Sequence, residues 1–263
     1  MSGEVTLTAS TFEVAWEHGK LGQMPIVLYV PPAGFQEWER AEVVRQAWDE
    51  LERVGAARYG RLDAALVRML EVLARPRRAV DARLALGKAG AKGTEVRGMA
   101  AANGDNGVVA ELADGKVRLR PIFGSGLGRE IVSLLPDESA GPGSSVSLAR
   151  ELIEPAARIA GASLYGFAER LMELGVPGDQ ARTLVRMIDG TKRRGQFGAA
   201  ILDREGRRHA AKRAIAFHDT DNGRYLMEDR TTADGRLWTT VTPAAAHLLA
   251  ERVQATLDAL TPR

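Results

Sequence analysis

The sequence predicts an α+β protein built from two related halves, each with helices first and an antiparallel meander of strands after them. Three observations support this prediction: apolar residues at helical spacing, strands with alternating polarity joined by tight turns, and an internal repeat. The chain has 263 residues, of which 45% are hydrophobic and 27% are charged. This balance is typical of a globular protein with a sizeable core.

The elements of the first half follow from local patterns in chain order. Two prolines after residue 30 end an apolar run, which favours a strand. Alternation around Leu84 and Leu86 opens the meander, and an Asp-Gly turn at 114–115 lies between its last two strands. The predicted helices lie at about 11–18, 36–54, 60–74 and 128–135, and the predicted strands at 5–7, 24–30, around 84–86, 96–102, 107–110 and 117–120.

The second half begins after a stretch of small and turn-forming residues, Ser139–Ser145. We take this stretch as the boundary between halves 1–138 and 139–263. The last helix is predicted to have Pro243 in its first turn and to end near Leu260. The other predicted elements are helices at 149–160, 163–174 and 178–189, followed by strands at 196–203, 209–218, 223–229 and 236–241.

An internal repeat links the two halves. Arg97–Gly107 aligns without gaps with Arg213–Gly223, 116 residues later, and both segments end in Asp-Asn-Gly. The Ala-Asp-Gly turn at 113–115 recurs at 233–235. Such turns recur in any meander, but two matched turns in the same order favour duplication. Two paired copies would form one larger sheet around a pseudo-twofold axis, with helices at its ends or on one face and an open face free for binding.

The sequence contains no recognisable catalytic or cofactor motif. The absence of cysteine excludes disulfides, thiolate zinc sites and a cysteine nucleophile. His218 and Thr220 should face one side of a strand and Asp219 and Asp221 the other, so this cluster cannot converge on a metal without a bend in the strand. Phosphate-loop and nucleophile-elbow patterns are also missing. We therefore predict a protein that is not an enzyme and has no metal or cofactor.

Charge and hydropathy bear on partners and location. The net charge is only +2, with 36 basic and 34 acidic residues. Nucleic-acid binding or regulation is the alternative function, because basic residues cluster; the matched acidic content and the lack of aromatics in these clusters weaken it. No apolar run is long enough to cross a membrane, and no signal peptide is apparent. The clusters are Arg75/Arg77/Arg78, Lys192–Arg194, Arg207–Arg208 and Lys212–Arg213.

Several segments, in this order along the chain, resemble the EspG family, the chaperones of type VII (ESX) secretion systems. The most distinctive is FHDTDNGRYL at 217–226. The resemblance covers nearly the whole chain, and the order and spacing of its segments make it specific. The other matching segments are Leu28–Gly34, GPGSSVS at 141–147, RGQFG at 194–198 and WTTVTP at 238–243.

The resemblance implies a mostly antiparallel central sheet with quasi-twofold symmetry and two flanking helical bundles. It also implies a cytoplasmic chaperone that binds the apolar tip of the PPE subunit in a PE–PPE heterodimer, or another ESX client, and keeps it soluble for export. No cofactor, nucleic acid or membrane insertion is implied. Because internal duplication can replace a homodimer, we expect a monomer.

In the family, the contact surface combines a loop between early strands, the sheet face and the C-terminal helical bundle. We expect the corresponding loop here to be short and glycine-rich, which favours flexibility. Apolar residues of the bundle could receive the client tip, although such residues belong to a core more often than to an interface. The expected partner-binding residues are Gly87, Lys88, Ala89, Gly90, Ala91, Lys92, Gly93, Leu171, Met172, Leu184 and Met187.

Overall fold

The computed structural model describes residues 3–87, 95–161 and 163–260. Within them the chain forms eight α-helices and thirteen strands. The helices are α1 (Ala9–His18), α2 (Glu37–Arg53), α3 (Ala64–Ala74), α4 (Leu127–Val132), α5 (Arg150–Ala160), α6 (Leu164–Glu173), α7 (Gly178–Ile188) and α8 (Ala246–Asp258). The strands are β1 (Val5–Thr8), β2 (Ala57–Arg58), β3 (Arg61–Leu62), β4 (Arg78–Ala85), β5 (Glu95–Asn103), β6 (Asn106–Ala113), β7 (Lys116–Phe123), β8 (Val146–Ala149), β9 (Arg193–Leu202), β10 (Arg208–Ala210), β11 (Ile215–Thr220), β12 (Gly223–Thr231) and β13 (Leu237–Pro243).

One large antiparallel sheet joins the two halves. Its strand order is β1-β7-β6-β5-β4-β9-β11-β12-β13-β8, with β10 paired to β9 and β2 and β3 forming a separate small hairpin. The two halves are arranged alike on either side of the central pair β4 and β9. From β4 outward the order is β5, β6, β7 and β1, and from β9 outward it is β11, β12, β13 and β8. Asp81 lies opposite Gly198 in the middle of that central pair. The predicted fold class is therefore confirmed, with its mostly antiparallel sheet and quasi-twofold symmetry.

The strand register sets the repeat at 117 residues and not at the 116 of the sequence alignment. Ala100 pairs with Val109 in the first hairpin, and Phe217 pairs with Leu226 in the second, each 117 positions later. All four side chains belong to the same buried cluster. Successive side chains point to opposite faces, so a shift of one residue would turn this set away from the core. The aligned Asp-Asn-Gly turns are thus similar in sequence but displaced by one position in structure.

Three apolar clusters cover the sheet. The helices α1, α2 and α3 pack on one face of the first half, and α5, α6 and α7 pack on the second half. The third cluster lies on the other face of the central strands, beneath α4 and α8. These two helices meet closely at Gly128, where a Cβ atom would lie 2.5 Å from the carbonyl oxygen of Ala250. Glycine is therefore required where the halves contact each other through helices.

Two elements predicted from local sequence differ from the structure, because strand pairing decides whether a segment joins the sheet. Residues 24–30 form no strand; Ile26–Leu28 make a 3-10 turn that begins directly after Pro25. Val27 and Leu28 are buried in this turn while Ile26 remains exposed, so the apolar run contributes to the core without joining the sheet. The last helix starts at Ala246, because Pro243 still pairs with β12 as the end of β13.

Two smaller differences also concern strands. The hairpin of β2 and β3 was not predicted, because two-residue strands carry no periodic signal. The predicted strand 209–218 is split into β10 and β11, which pair with β9 at different places.

None of the helices in the described part of the chain is long and apolar enough to span a membrane.

Candidate functional site

A groove runs along the centre of the sheet, on the face opposite α4 and α8. The side chains of Val80, Ala82 and Leu84 point from β4 into the cluster beneath those helices. The alternate residues of β4 therefore face the other side, where they form the groove floor between the two helical units. Two adjoining cavities of about 450 and 820 Å³ make up this central groove. Its floor includes Ala79, Asp81, Arg83, Gln196, Ala200 and Ala216.

Apolar side chains stand at the walls of the central groove. Ile26, on the 3-10 turn of the first half, lines both cavities and is 74% exposed. Ile188, the last residue of α7, lines the opposite wall, and Met227 of β12 is 39% exposed there. An exposed apolar strip across the junction of two halves is the kind of surface that binds another protein.

Three arginines give the wider end of the groove a positive charge. Arg83 and Arg97 lie directly opposite each other on β4 and β5, and Arg194 lies on β9 opposite Ala85. All three line the 820 Å³ cavity. Arg97 donates a hydrogen bond to the carbonyl oxygen of Tyr29 at 3.3 Å, which ties the strand to the wall that carries Ile26.

His218 connects the groove to the helical unit of the second half. Its Nε2 lies 2.9 Å from the carbonyl oxygen of Met187 in α7, and its ring stacks on Tyr225 with centroids 5.4 Å apart. Arg194 is its cross-strand neighbour on β9. Burial lowers the pKa of His218 below its usual value, although the contact with Met187 and the charge of Asp219 oppose that shift. The neutral ring therefore fastens the end of α7 beside the groove.

We expect the stability of the protein to fall as the pH drops below about 6.5, the ordinary pKa of histidine. In this range the unfolded chain binds a proton at His218 that the folded protein resists, so protonation favours unfolding. Urea unfolding at pH 7.5 and pH 5.5 measures the difference for the wild type and for His218→Gln. The variant should lose part of the pH dependence. An unchanged pH dependence would show that His218 titrates alike in both states.

A buried ion pair lies behind the groove, on the other side of the sheet. Arg224 and Asp219 are both fully buried, and the guanidinium donates to both carboxylate oxygens, from Nε at 2.7 Å and Nη2 at 3.0 Å. Nη2 also donates to the carbonyl oxygen of Pro136 at 2.9 Å. On the groove side of the sheet, the hydroxyl of Tyr225 donates to the carbonyl oxygen of Pro142 at 3.1 Å. This network attaches the connection between the halves to β11 and β12.

Of the sequence-predicted loop, the structure describes only the first residue and the strand ends on either side. Ala85 and Glu95, the neighbouring ends of β4 and β5, line the larger cavity, and the loop connects these two strands. Gly87 is half-buried at the start of the connection. The remaining predicted residues, Lys88, Ala89, Gly90, Ala91, Lys92 and Gly93, lie outside the described residues.

The four predicted bundle residues differ in exposure. Met172 is 38% exposed, so its contact with a partner stays a prediction. Leu171, Leu184 and Met187 are buried in the core of the second helical unit, and their contact with a partner also stays a prediction. The helices α5, α6 and α7 pack against one another and against the sheet, and these side chains fill the space between them. They support the groove wall and do not form its surface.

Sequence reasoning missed the residues that line the central groove. Ile26 was assigned to a strand, and Arg83, Arg97 and Met227 were read only as members of a meander. The alternation in β4 carried a signal, since the charged residues Asp81 and Arg83 alternate with the buried residues Val80, Ala82 and Leu84. Their meaning depends on which face the helices leave open, and that is a tertiary property.

Several residues of the basic clusters lie beside acidic groups. Lys192 and Arg193 face Glu138, Arg207 pairs with Asp203 at 2.8 Å, and Arg78 pairs with Asp258. Acidic neighbours thus neutralise much of the positive charge at these positions. Among the described residues, no group of three histidine, aspartate or glutamate side chains could hold a metal ion.

Comparisons with known proteins agree with this architecture. The family model described as the EspG family matches residues 8–255. No curated protein matches the chain. A solved structure of the Mycobacterium tuberculosis type VII secretion system chaperone EspG5, in complex with a PE25–PPE41 dimer, has a TM-score of 0.78 and 15% sequence identity. The similarity covers 98% of this chain and 97% of that one, so the fold is shared along its whole length.

Proposed function

The chain belongs to the EspG family, and from this premise we propose that it is a cytosolic chaperone of a type VII secretion system. Its client is a PE–PPE heterodimer, and it covers the apolar tip of the PPE subunit to keep that subunit soluble before export. The protein acts by binding, as a monomer, and catalyses no reaction. The structurally similar EspG5 is described as a chaperone in complex with a PE25–PPE41 dimer, which supports this choice of client.

The observation that carries the proposal is the central groove. It lies across the pseudo-twofold axis, and it exposes Ile26 and Met227 beside a shallow floor of small side chains. A protruding apolar tip that packs against these walls is removed from water. Burial of apolar surface is the main favourable term in such binding. The groove is wide and open, which suits a segment of another protein better than a small molecule.

The two helical units give the groove different walls, although the sheet is nearly symmetric. The first unit presents Ile26 on a 3-10 turn, whereas the second presents the end of α7 at Ile188. A single client tip can therefore bind in one orientation only. We therefore expect this duplicated fold to bind one client and not two.

Co-expression with a PE–PPE pair encoded beside the chain tests the proposed function. We expect a one-to-one-to-one complex to co-purify through a tag on the PPE subunit and to elute from size-exclusion chromatography as one species. A PE–PPE pair from an unrelated ESX locus is the control. If the folded chaperone captures no neighbouring PE–PPE pair, the proposed function is wrong.

A further inference from the structure

The three arginines at the wider end of the groove have an unusual arrangement. Arg83 and Arg97 lie directly opposite each other, and like charges in such cross-strand pairs are destabilising. Arg194 lies on the same face of β9, opposite Ala85. Arg83 and Arg194 are exposed and Arg97 is half-buried. The fold thus concentrates positive charge at the place where a partner would cover it.

Two acidic side chains lie near this cluster. Asp81 and Glu95 lie on the same face, two positions from Arg83 and Arg97 along their strands. Among the described residues, however, neither forms an ion pair with any of the three guanidinium groups. Some other exposed arginines do have a carboxylate partner, as in the pair of Arg118 and Glu111 at 2.9 Å.

A partner that covers the groove removes water from these guanidinium groups. Burying a charged group without an opposite charge or hydrogen-bond acceptors is unfavourable, so a purely apolar tip would bind weakly at this end. A carboxylate satisfies an arginine through two parallel hydrogen bonds and also relieves the repulsion between Arg83 and Arg97. The apolar wall at Ile26 and Met227 remains available for neighbouring side chains of the same tip.

We infer that the client tip carries an acidic side chain beside its apolar residues, and that Arg83, Arg97 and Arg194 bind its carboxylate. This inference rests on the proposed function, since it describes the client that the same groove takes. The apolar wall supplies affinity, and the arginine cluster selects among tips by charge. Clients without a carboxylate at this position are disfavoured because they would leave the cluster buried and unpaired.

The test compares Arg83→Gln/Arg194→Gln with the wild type in binding to a captured PE–PPE pair. Calorimetric titrations at about 0.05 and 0.5 M NaCl bracket weak and strong screening. We expect the variant to bind about 10- to 100-fold more weakly at low salt and to lose most of the salt dependence. The matched control is Arg53→Gln/Arg61→Gln, which removes two exposed arginines outside the groove; it should bind like the wild type.

A double-mutant cycle identifies the carboxylate. Each Asp or Glu of the PPE tip is changed to Asn or Gln and titrated against the wild type and the arginine variant. One of these changes should weaken binding to the wild type but have little further effect on the arginine variant. Thermal unfolding of every variant confirms folding, and the single variant Arg194→Gln replaces the double variant if the latter unfolds.

Several results would overturn the inference while leaving the proposed function intact. In the first, the arginine variant binds the client with the same affinity as the wild type. In the second, the affinity of the wild type does not depend on salt. In the third, no acidic residue of the client couples to the arginine cluster in the double-mutant cycle. Competition by an oligonucleotide that depends on the same arginines would also overturn it. Failure of the wild type to capture any PE–PPE pair contradicts the proposed function itself.

Discussion

Replacement of Asp219 by alanine should lower the free energy of unfolding by about 3–5 kcal/mol, because it leaves a buried guanidinium without its counter-charge. Asp219 and Arg224 are both fully buried and joined by two hydrogen bonds. Nη1 of Arg224 already has no hydrogen-bond partner among the described groups, so loss of the carboxylate leaves few remaining contacts. The guanidinium carbon also lies 5.3 Å from the ring centroid of Phe217, which does not replace a carboxylate.

Urea unfolding at neutral pH measures this effect, and two further variants test its cause. The double variant Asp219→Leu/Arg224→Met removes both charges and should recover much of the lost stability, since buried ion pairs are often replaceable by apolar groups. Arg118→Met breaks a partly exposed pair with Glu111 and should change stability by less than about 1 kcal/mol. If Asp219→Ala lowers the free energy of unfolding no more than Arg118→Met does, the buried ion pair does not have the predicted role.

The Asp219→Ala substitution should also destabilise the wall of the central groove. Arg224 donates to Pro136, and its backbone exchanges hydrogen bonds with Ser139 and Gly141. Gly141 lies so close to Tyr225 that a Cβ atom there would come within 2.2 Å of the ring. Because Tyr225 stacks on His218, which contacts α7, we expect Asp219→Ala to increase hydrogen exchange in α7 as well as in the connection between the halves.

Replacement of Ile26 by asparagine should weaken capture of the PE–PPE client by about 2 kcal/mol or more, roughly 30-fold in Kd. Ile26 lines both cavities of the central groove and stands where a bound tip would bury it. Its side chain is 74% exposed in the free protein, so the folded chain loses little packing when it is replaced. Asparagine carries no charge, which separates this apolar contribution from that of the arginines.

Phe123→Asn provides the control for Ile26→Asn. Phe123 is 83% exposed and lies at the end of β7, outside the central groove. The two variants remove similar exposed apolar groups, but only the first should lower affinity in a titration against the purified client. Equal affinity of the Ile26 variant and the wild type would mean that the tip does not contact this wall.

Local sequence patterns were sufficient for most of the fold. Apolar residues at helical spacing identified α2 and α5–α7, because this spacing shows both that a segment is helical and which of its faces is buried. Strand alternation and Asx-Gly turns identified the meanders for the same reason. The apolar run at 24–30 was misassigned, because apolar content alone does not distinguish a strand from an irregular segment that packs on the core.

The residues of a binding surface are harder to predict than the fold. The prediction named the loop at 87–93 and four bundle residues, of which Leu171, Leu184 and Met187 are buried in the second helical unit. Large apolar residues on a helix mark either a core or an interface, and their spacing is the same in both. The residues that do line the groove, such as Ile26 and Arg83, are far apart in sequence and carry no common motif.

The sequence by itself determined the α+β class and the internal repeat, because turns and periodicities are local properties, and the order of its segments indicated the resemblance to the EspG family. The tertiary structure decided three things that depend on contacts between distant residues. It set the repeat at 117 residues, since core packing fixes which strand face is buried. It placed α4 and α8 on one face of the central strands and left the other face of these strands open between the two helical units. It brought Arg83, Arg97 and Arg194 together on that open face, where sheet pairing alone makes them neighbours.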